Sequence, residues 1–219
     1  MNFNFSTVPR VDYRETPKSR KILQAAKQVF IREGGAKFSA RGVAKEAGLS
    51  LGAVQHFFPA KRDLLTATLE YVVNEYESAY QRLCDRLPMN GETRLLGVLD
   101  ILVADIWQRD TRKFFFGFWA LACHDTAAGK LLSEMYAFHV RRLGAFLGAA
   151  RPGVSERRCE ELAMQIAALI EGLMLFTAPL GKRFTTCRRM QQMVRKSVLR
   201  LLSEGDAAAA VGTSVLRFG

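Results

Sequence analysis

Between residues 17 and 58 the apolar positions fall into three short helical patterns. Ile22, Ala25, Ala26, Val29 and Phe30 recur at i, i+3, i+4, i+7 and i+8 behind Pro17, a residue suited to a first helical turn, and Gly34 and Gly35 predict the end of that helix. In SARGVAKEAGLSLGAVQHFF, the residues Val43, Ala44, Ala47, Leu49, Val54 and Phe58 predict two more helices of one to two turns. Ser39 is placed to cap the first, Gly48 to take a left-handed turn, and Ser50 to cap the second. Two short helices around so tight a corner, with the small Ala47 and Gly48 where they cross, predict a helix-turn-helix.

Pro59 ends this segment, and the stripe Leu65, Leu69, Val72, Val73, Tyr76, Tyr80 and Leu83 predicts a long helix from about Lys61 to Arg86. Beyond the boundary at Pro88, Asn90 and Gly91, helices are expected at 92–108, 111–124, 127–149, 156–178 and 186–203, with breaks at Asp110, Asp125, Pro152-Gly153 and Pro179 to Gly181. No segment reads as a strand. The expected fold is all-α with about nine helices: a flexible arm at 1–16, a three-helix domain with the helix-turn-helix at 17–62, a larger helical domain at 63–204 and a flexible tail at 205–219.

The 219 residues are 49% hydrophobic and 24% charged, which excludes a disordered acidic tail. Leu162 to Leu180 is long enough to span a bilayer, but Gln165 and Glu171 interrupt it and a buried helix is expected instead. Cys84, Cys123, Cys159 and Cys187 form no CxxC pair, and the start MNFNFSTVPR lacks the apolar run of a signal peptide, so a cytoplasmic protein with reduced thiols is expected. Without a nucleotide loop, HExxH or GxSxG, and with His56, His124 and His139 far apart, no catalytic site, metal or cofactor is expected.

Charge changes the picture most. The net +11 is concentrated at residues 10–62, where twelve basic and four acidic side chains give +8. That field fits a polyanion, either a phosphate backbone or an anionic membrane, and equally a solvated basic face. The second short helix favours DNA. Between its apolar anchors Val54 and Phe58, Gly52, Ala53, Gln55, His56 and Phe57 are candidates to project outward. Gln55 is able to pair with adenine or hold a phosphate, Ala53 to meet a thymine methyl, Gly52 to let backbone approach, and His56 to donate to phosphate. Lys61 opposes the dipole of the helix it begins, a balance that a bound phosphate would reverse.

The segment SARGVAKEAGLSLGAVQHFFPAKRDLL resembles the DNA-binding signature of the TetR family of bacterial transcriptional repressors, over about Ser19 to Leu69. The resemblance implies a three-helix DNA-binding domain, a linking fourth helix, and a larger ligand and dimer domain. It implies Ser39 as a phosphate-contacting cap, Arg41 as a groove or phosphate residue, Lys61 as a phosphate clamp, and Ser50, Leu51, Ala53, Gln55, His56 and Phe57 as the reading surface. Many members carry tyrosine at the position of Gln55 and histidine at that of Phe57, which leaves the operator sequence open.

The resemblance also implies a homodimer through the last two long helices, with Leu162, Ile166, Leu169 and Leu173 of one and Met190, Val194, Val198 and Leu201 of the other as interface candidates. A single-subunit core explains part of that apolarity equally well. The aromatic density of Trp107, Phe114, Phe115, Phe118, Trp119 and Phe138 marks a candidate pocket for an apolar or aromatic effector, with plain core as the alternative and an aromatic box for a cation as a third reading. Glu171 is the one acid inside an apolar helix and a candidate ligand partner. The expected function is thus a ligand-released repressor on a double-stranded pseudo-palindromic operator, with no membrane partner; a sequence-indifferent DNA-binding protein is the alternative.

Overall fold

The computed structural model describes residues 16–87, 90–180 and 186–210. They form the helices α1 (Pro17–Lys37), α2 (Ala40–Ala47), α3 (Leu51–Phe57), α4 (Lys61–Asp85), α5 (Gly91–Ile106), α6 (Arg109–Ala122), α7 (Thr126–Ala150), α8 (Glu156–Leu180) and α9 (Cys187–Ala210), with no strand among the described residues. Residues 1–15 of the arm expected at 1–16, and residues 211–219 of the tail expected at 205–219, lie outside the described residues.

The chain divides into two compact units. The first runs up to Arg82 and includes Arg109–Phe138; the second holds Leu83–Gln108 and the chain from His139 onward. In the first, Thr16 caps α1: its hydroxyl accepts from the Ser19 N–H while Ser19 Oγ accepts from the Thr16 N–H, both at 3.1 Å. Ile22, Ala26, Val29 and Phe30 are fully buried. Gly34 interrupts the helix at φ 72°, ψ 172°, a backbone that L side chains avoid, and a last turn follows to Lys37. The regular helix from Pro17 therefore ends at Gly34, as expected, and the turn to Lys37 is a separate piece.

α6 packs on α1 through rings. Phe30 lies 5.5 Å from Phe114 between centroids and 6.2 Å from Phe38, and a methyl group added at Gly117 would stand 3.3 Å from the Phe30 ring. Burying a phenyl ring contributes roughly 1.5–3 kcal/mol, so this cluster is a main source of the unit's stability. Tyr76 of α4 donates its hydroxyl proton to Thr111 of α6 at 2.6 Å, and Lys27 of α1 pairs with Glu75 of α4 at 2.9 Å.

In the second unit α5, α8 and α9 pack together, with Leu95, Val98, Leu99 and Val103 of α5 buried. The Arg195 guanidinium of α9 grips both Asp100 carboxylate oxygens, one at 2.8 Å, and the Gln191 amide donates to the Asp100 carbonyl at 3.0 Å. The paired carboxylate holds the Arg195 guanidinium above its usual range.

Three expected boundaries shift: α8, expected to break at Pro179, runs to Leu180. Asp110 was expected to break the chain but lies in the first turn of α6, where a carboxylate favours the positive end of the helix dipole. α9 continues to Ala210, into the expected flexible tail, because Ala207–Ala210 are the strongest helix formers available.

Gly91 opens α5 against the end of α7: a Cβ there would come within 2.2 Å of the Ala149 carbonyl oxygen. Gly91→Ala is expected to lower stability by about 1–3 kcal/mol in urea denaturation, the usual effect of overpacking against rigid backbone. Gly153→Ala, which meets nothing within 4 Å, serves as the neutral control.

Candidate DNA-binding surface

Ser39 and Ser50 cap α2 and α3, their hydroxyls accepting from the N–H groups of Gly42 at 3.1 Å and Ala53 at 3.2 Å. Each hydroxyl keeps its own proton for donation to a phosphate oxygen. Gly48 closes α2 at φ 62°, ψ 40°, and Leu49 N–H donates to Ala44 C=O at 3.0 Å. This turn sets the angle at which α3 leaves α2. Val54 and Phe58 are buried and anchor α3.

With the anchors inside, the helical period puts Gly52, Gln55 and His56 on the exposed face, Leu51 and Ala53 on its flanks, and Ser50 in solvent at its start. Phe57 is half-buried: its ring meets His56 edge-on at 5.4 Å and leans toward Phe58 at 6.5 Å. It therefore braces the reading face more than it projects from it. No side chain of α3 carries a formal charge with histidine neutral.

The cations stand beside α3. Arg41 is exposed on α2, and Lys45, one turn later on the same face, is exposed as well. Lys45 was missed by the sequence reading, although the i, i+4 spacing marks it. Lys61 is exposed at the first residue of α4 and, among the described residues, is in no ion pair. The helix end behind it is partly satisfied already, since the Asp63 carboxylate accepts from Ala60 N–H at 3.1 Å. Lys61 thus acts as a point charge more than as part of an empty anion nest. Arg32 is held by Glu33 at 3.1 Å and Glu46 at 2.8 Å, and Arg62 lies 3.9 Å from Asp125, so neither adds a free cation.

Comparison with known proteins settles what this corner belongs to. Residues 22–68 match the family described as bacterial regulatory proteins, tetR family, and residues 91–203 match the BetI-type transcriptional repressor C-terminal domain. The chain belongs to the TetR family of transcriptional regulators. It is a DNA-binding regulator and not an enzyme. Among similar proteins is the HTH-type transcriptional regulator BetI of Vibrio campbellii, 26% identical over 171 residues that cover 77% of this chain and 83% of the relative. BetI of Burkholderia cenocepacia is 28% identical over 176 residues, 80% of this chain and 88% of the relative. A transcriptional regulator from Pseudomonas aeruginosa shares the fold at a TM-score of 0.74 and 23% identity, over 88% of this chain and 95% of that one. So does a regulator from Saccharomonospora viridis solved in complex with choline, at 0.69 and 22% identity, over 82% and 94%.

Two groups of expected site residues lie in the part that matches the BetI-type domain. Phe114, Phe115 and Phe118, expected to line a pocket, are buried among Phe30, Tyr76 and one another as core of the first unit. The cause is the amphipathic period of α6, which puts Thr111, Phe114, Phe115 and Phe118 on one buried face. Trp119 is half-exposed and donates its indole N–H to Tyr136 OH at 2.8 Å; Phe138 is half-exposed in the same unit. Trp107 caps α5 and Glu171 lies on α8, both in the second unit.

Among the expected interface residues, Leu162, Ile166, Met190, Val194 and Val198 are buried in the chain's own core and have no surface for a partner. The most apolar stripe of a helix is the one a subunit buries itself. Leu169, Leu173 and Leu201 are half-buried. What α8 and α9 leave exposed is Met164 (62%), Leu175 (53%), Phe176 (65%) and Met193 (51%).

Lys61→Ala is expected to weaken binding to every duplex alike and to lower the slope of log affinity against log salt by about 1, as loss of one phosphate contact does. Gln55→Ala should instead change the ranking of operator variants with the salt slope intact. Both are read in fluorescence anisotropy titrations; an unchanged slope for the lysine variant would exclude the phosphate contact.

Proposed function

We propose that this regulator is a homodimeric repressor that reads a pseudo-palindromic operator with α3 and leaves it when a small cationic molecule binds its C-terminal domain. The observation that carries the reading is the corner of α2 and α3, which turns the uncharged Gly52, Gln55 and His56 outward between the exposed cations Arg41, Lys45 and Lys61. A two-fold dimer places its two reading helices about 34–36 Å apart or a multiple of it, hence two half-sites.

The exposed apolar residues of α8 and α9 support the dimer. Met164, Leu175, Phe176 and Met193 are large side chains on one unit, and such patches mark association surfaces. Ala168 and Gly172 lie on the same side of α8 as Met164 and Leu175, and among the described residues no atom outside the backbone of α8 itself stands within 4 Å of a Cβ placed at Gly172, so a partner helix has room to approach.

For the effector, the BetI-type match and the choline bound by the S. viridis regulator favour a quaternary ammonium over the uncharged aromatic compound that ring density alone indicates. Half-exposed rings are at hand: Trp119 lies 5.8 Å from Phe116 and is hydrogen-bonded to Tyr136. Their faces attract a desolvated cation.

The test is a titration against the promoter DNA flanking the protein's own gene, with excess random duplex. Retained binding marks a specific operator. Choline is then expected to weaken binding roughly 5- to 150-fold, the range of ordinary allosteric coupling, while its uncharged isostere 3,3-dimethylbutan-1-ol does not. Equal release by both would return the effector to the apolar class.

Two substitutions separate interface from core. Leu175→Arg should leave the melting transition of the subunit in place and yield monomers in sedimentation. Ile166→Ala should lower stability by about 2–5 kcal/mol through the cavity it leaves.

A further inference from the structure

We propose that the dimer surfaces are matched crosswise by charge, so that α9 of one copy seats on α8 of the other and the pairing selects a second copy of this same chain. The inference rests on the dimer reading above and concerns how that surface chooses its partner.

α9 presents Arg189, Met193, Lys196 and Arg200 along one exposed stripe, at i, i+4, i+7 and i+11. From Cys187 to Ser203 the sequence contains no acid. Arg195, on the inner side, is held by Asp100, whereas Arg189, Lys196 and Arg200 are in no ion pair among the described residues. If α9 met its own symmetry mate, three cations from each copy would gather, with Glu204, one turn beyond Arg200, as the nearest acid of the same helix, a juxtaposition that costs affinity. Yet Met193 is half-exposed in the middle of that stripe and gains by being covered.

α8 has the complementary pattern. Its exposed stripe begins with Glu160 and continues through Met164, Ala168, Gly172 and Leu175. Glu156 and Glu160 are exposed and in no ion pair among the described residues, while the neighbouring Arg157 and Arg158 are both engaged by Glu161, at 3.1 and 3.3 Å. The α8 end is therefore net negative and the rest of its stripe apolar. Seating α9 on the partner's α8 covers Met193 with apolar surface and brings the cations on one side of Met193 toward Glu156 and Glu160. Two-fold symmetry makes this contact twice. A related regulator whose α8 began with basic residues would be rejected on the same ground.

A charge swap tests it. One variant carries Glu156→Lys and Glu160→Lys; the other carries Arg189→Glu, Lys196→Glu and Arg200→Glu. In either homodimer α8 and α9 have the same sign, but in a mixed dimer both contacts are complementary. Each variant alone is expected to show a dimer Kd raised at least about tenfold at low salt. Their equimolar mixture, differently tagged and read by native mass spectrometry, should give heterodimer well above the roughly one half that random pairing yields. At about 1 M salt the preference should vanish, because the screening length falls to about 3 Å. Circular dichroism melts of both variants are read first, and if the triple variant does not fold, Glu160→Lys paired with Arg200→Glu takes its place. Random pairing of folded variants from a dimeric parent would overturn the charge match and leave the dimer standing. A parent that stays monomeric at micromolar concentration would overturn both.

Discussion

Phe30 is the ring on which the first unit depends. It is fully buried, and it faces three ways: toward Phe38, whose successor Ser39 caps α2; toward Phe114 of α6; and toward Gly117, where no side chain intervenes. The direction in which α2 starts, and through the Gly48 turn the direction of α3, is thus referred to the same ring that seats α6. A core so packed responds to a shift in one wall by moving the other walls with it, since interiors are dense and have few low-energy alternatives. Movement of α6 therefore has a mechanical route to α3 through α1, in addition to the hydrogen bond from Tyr76 of α4 to Thr111.

That arrangement explains why the helix-turn-helix is legible in the sequence and the role of the ring cluster is not. The α2–α3 corner is written locally: Ser39, Gly48 and Ser50 each act within four residues of their own position, and Val54 and Phe58 declare their side of α3 by spacing. The aromatic run in α6 announces only that rings are dense. Whether they line a cavity or fill a core depends on Phe30, more than eighty positions earlier in the chain, and sequence spacing does not carry that pairing. The Thr16 cap was equally local but went unread because Ser19 stands where the usual capping box has a longer acceptor.

The helices of the second unit were placed within a few residues, and the faces of α8 and α9 were not. Ile166 and Val194 occupy the apolar stripe that a single helix makes most obvious, and the subunit uses that stripe for itself, with α5 as the counterpart. The second stripe, from Met164 to Leu175, is thinner, interrupted by Ala168 and Gly172, and visible only when the first is known to be occupied. Polar residues behaved the same way: Arg195 reads as one cation among five on α9 until Asp100, from a distant helix, takes it inside.

On the DNA side the division of labour follows from which charges are already engaged. Lys27, Arg32 and Arg62 are paired with Glu75, Glu33 and Glu46, and Asp125, so three of the twelve cations counted at residues 10–62 are engaged within the chain. Arg41, Lys45 and Lys61 are in no such pair among the described residues, and they flank a helix that has no formal charge of its own. In the proposed complex, phosphate attraction, which is indifferent to sequence and weakens with salt, comes from α2 and α4. On the proposed reading, discrimination between bases falls to Gly52, Ala53, Gln55 and His56, which are able to approach the groove without adding a cation that would bind any duplex. A charged residue at position 55 would raise affinity for all DNA together, and the ratio of operator to random binding, which decides whether a regulator finds its site, would fall.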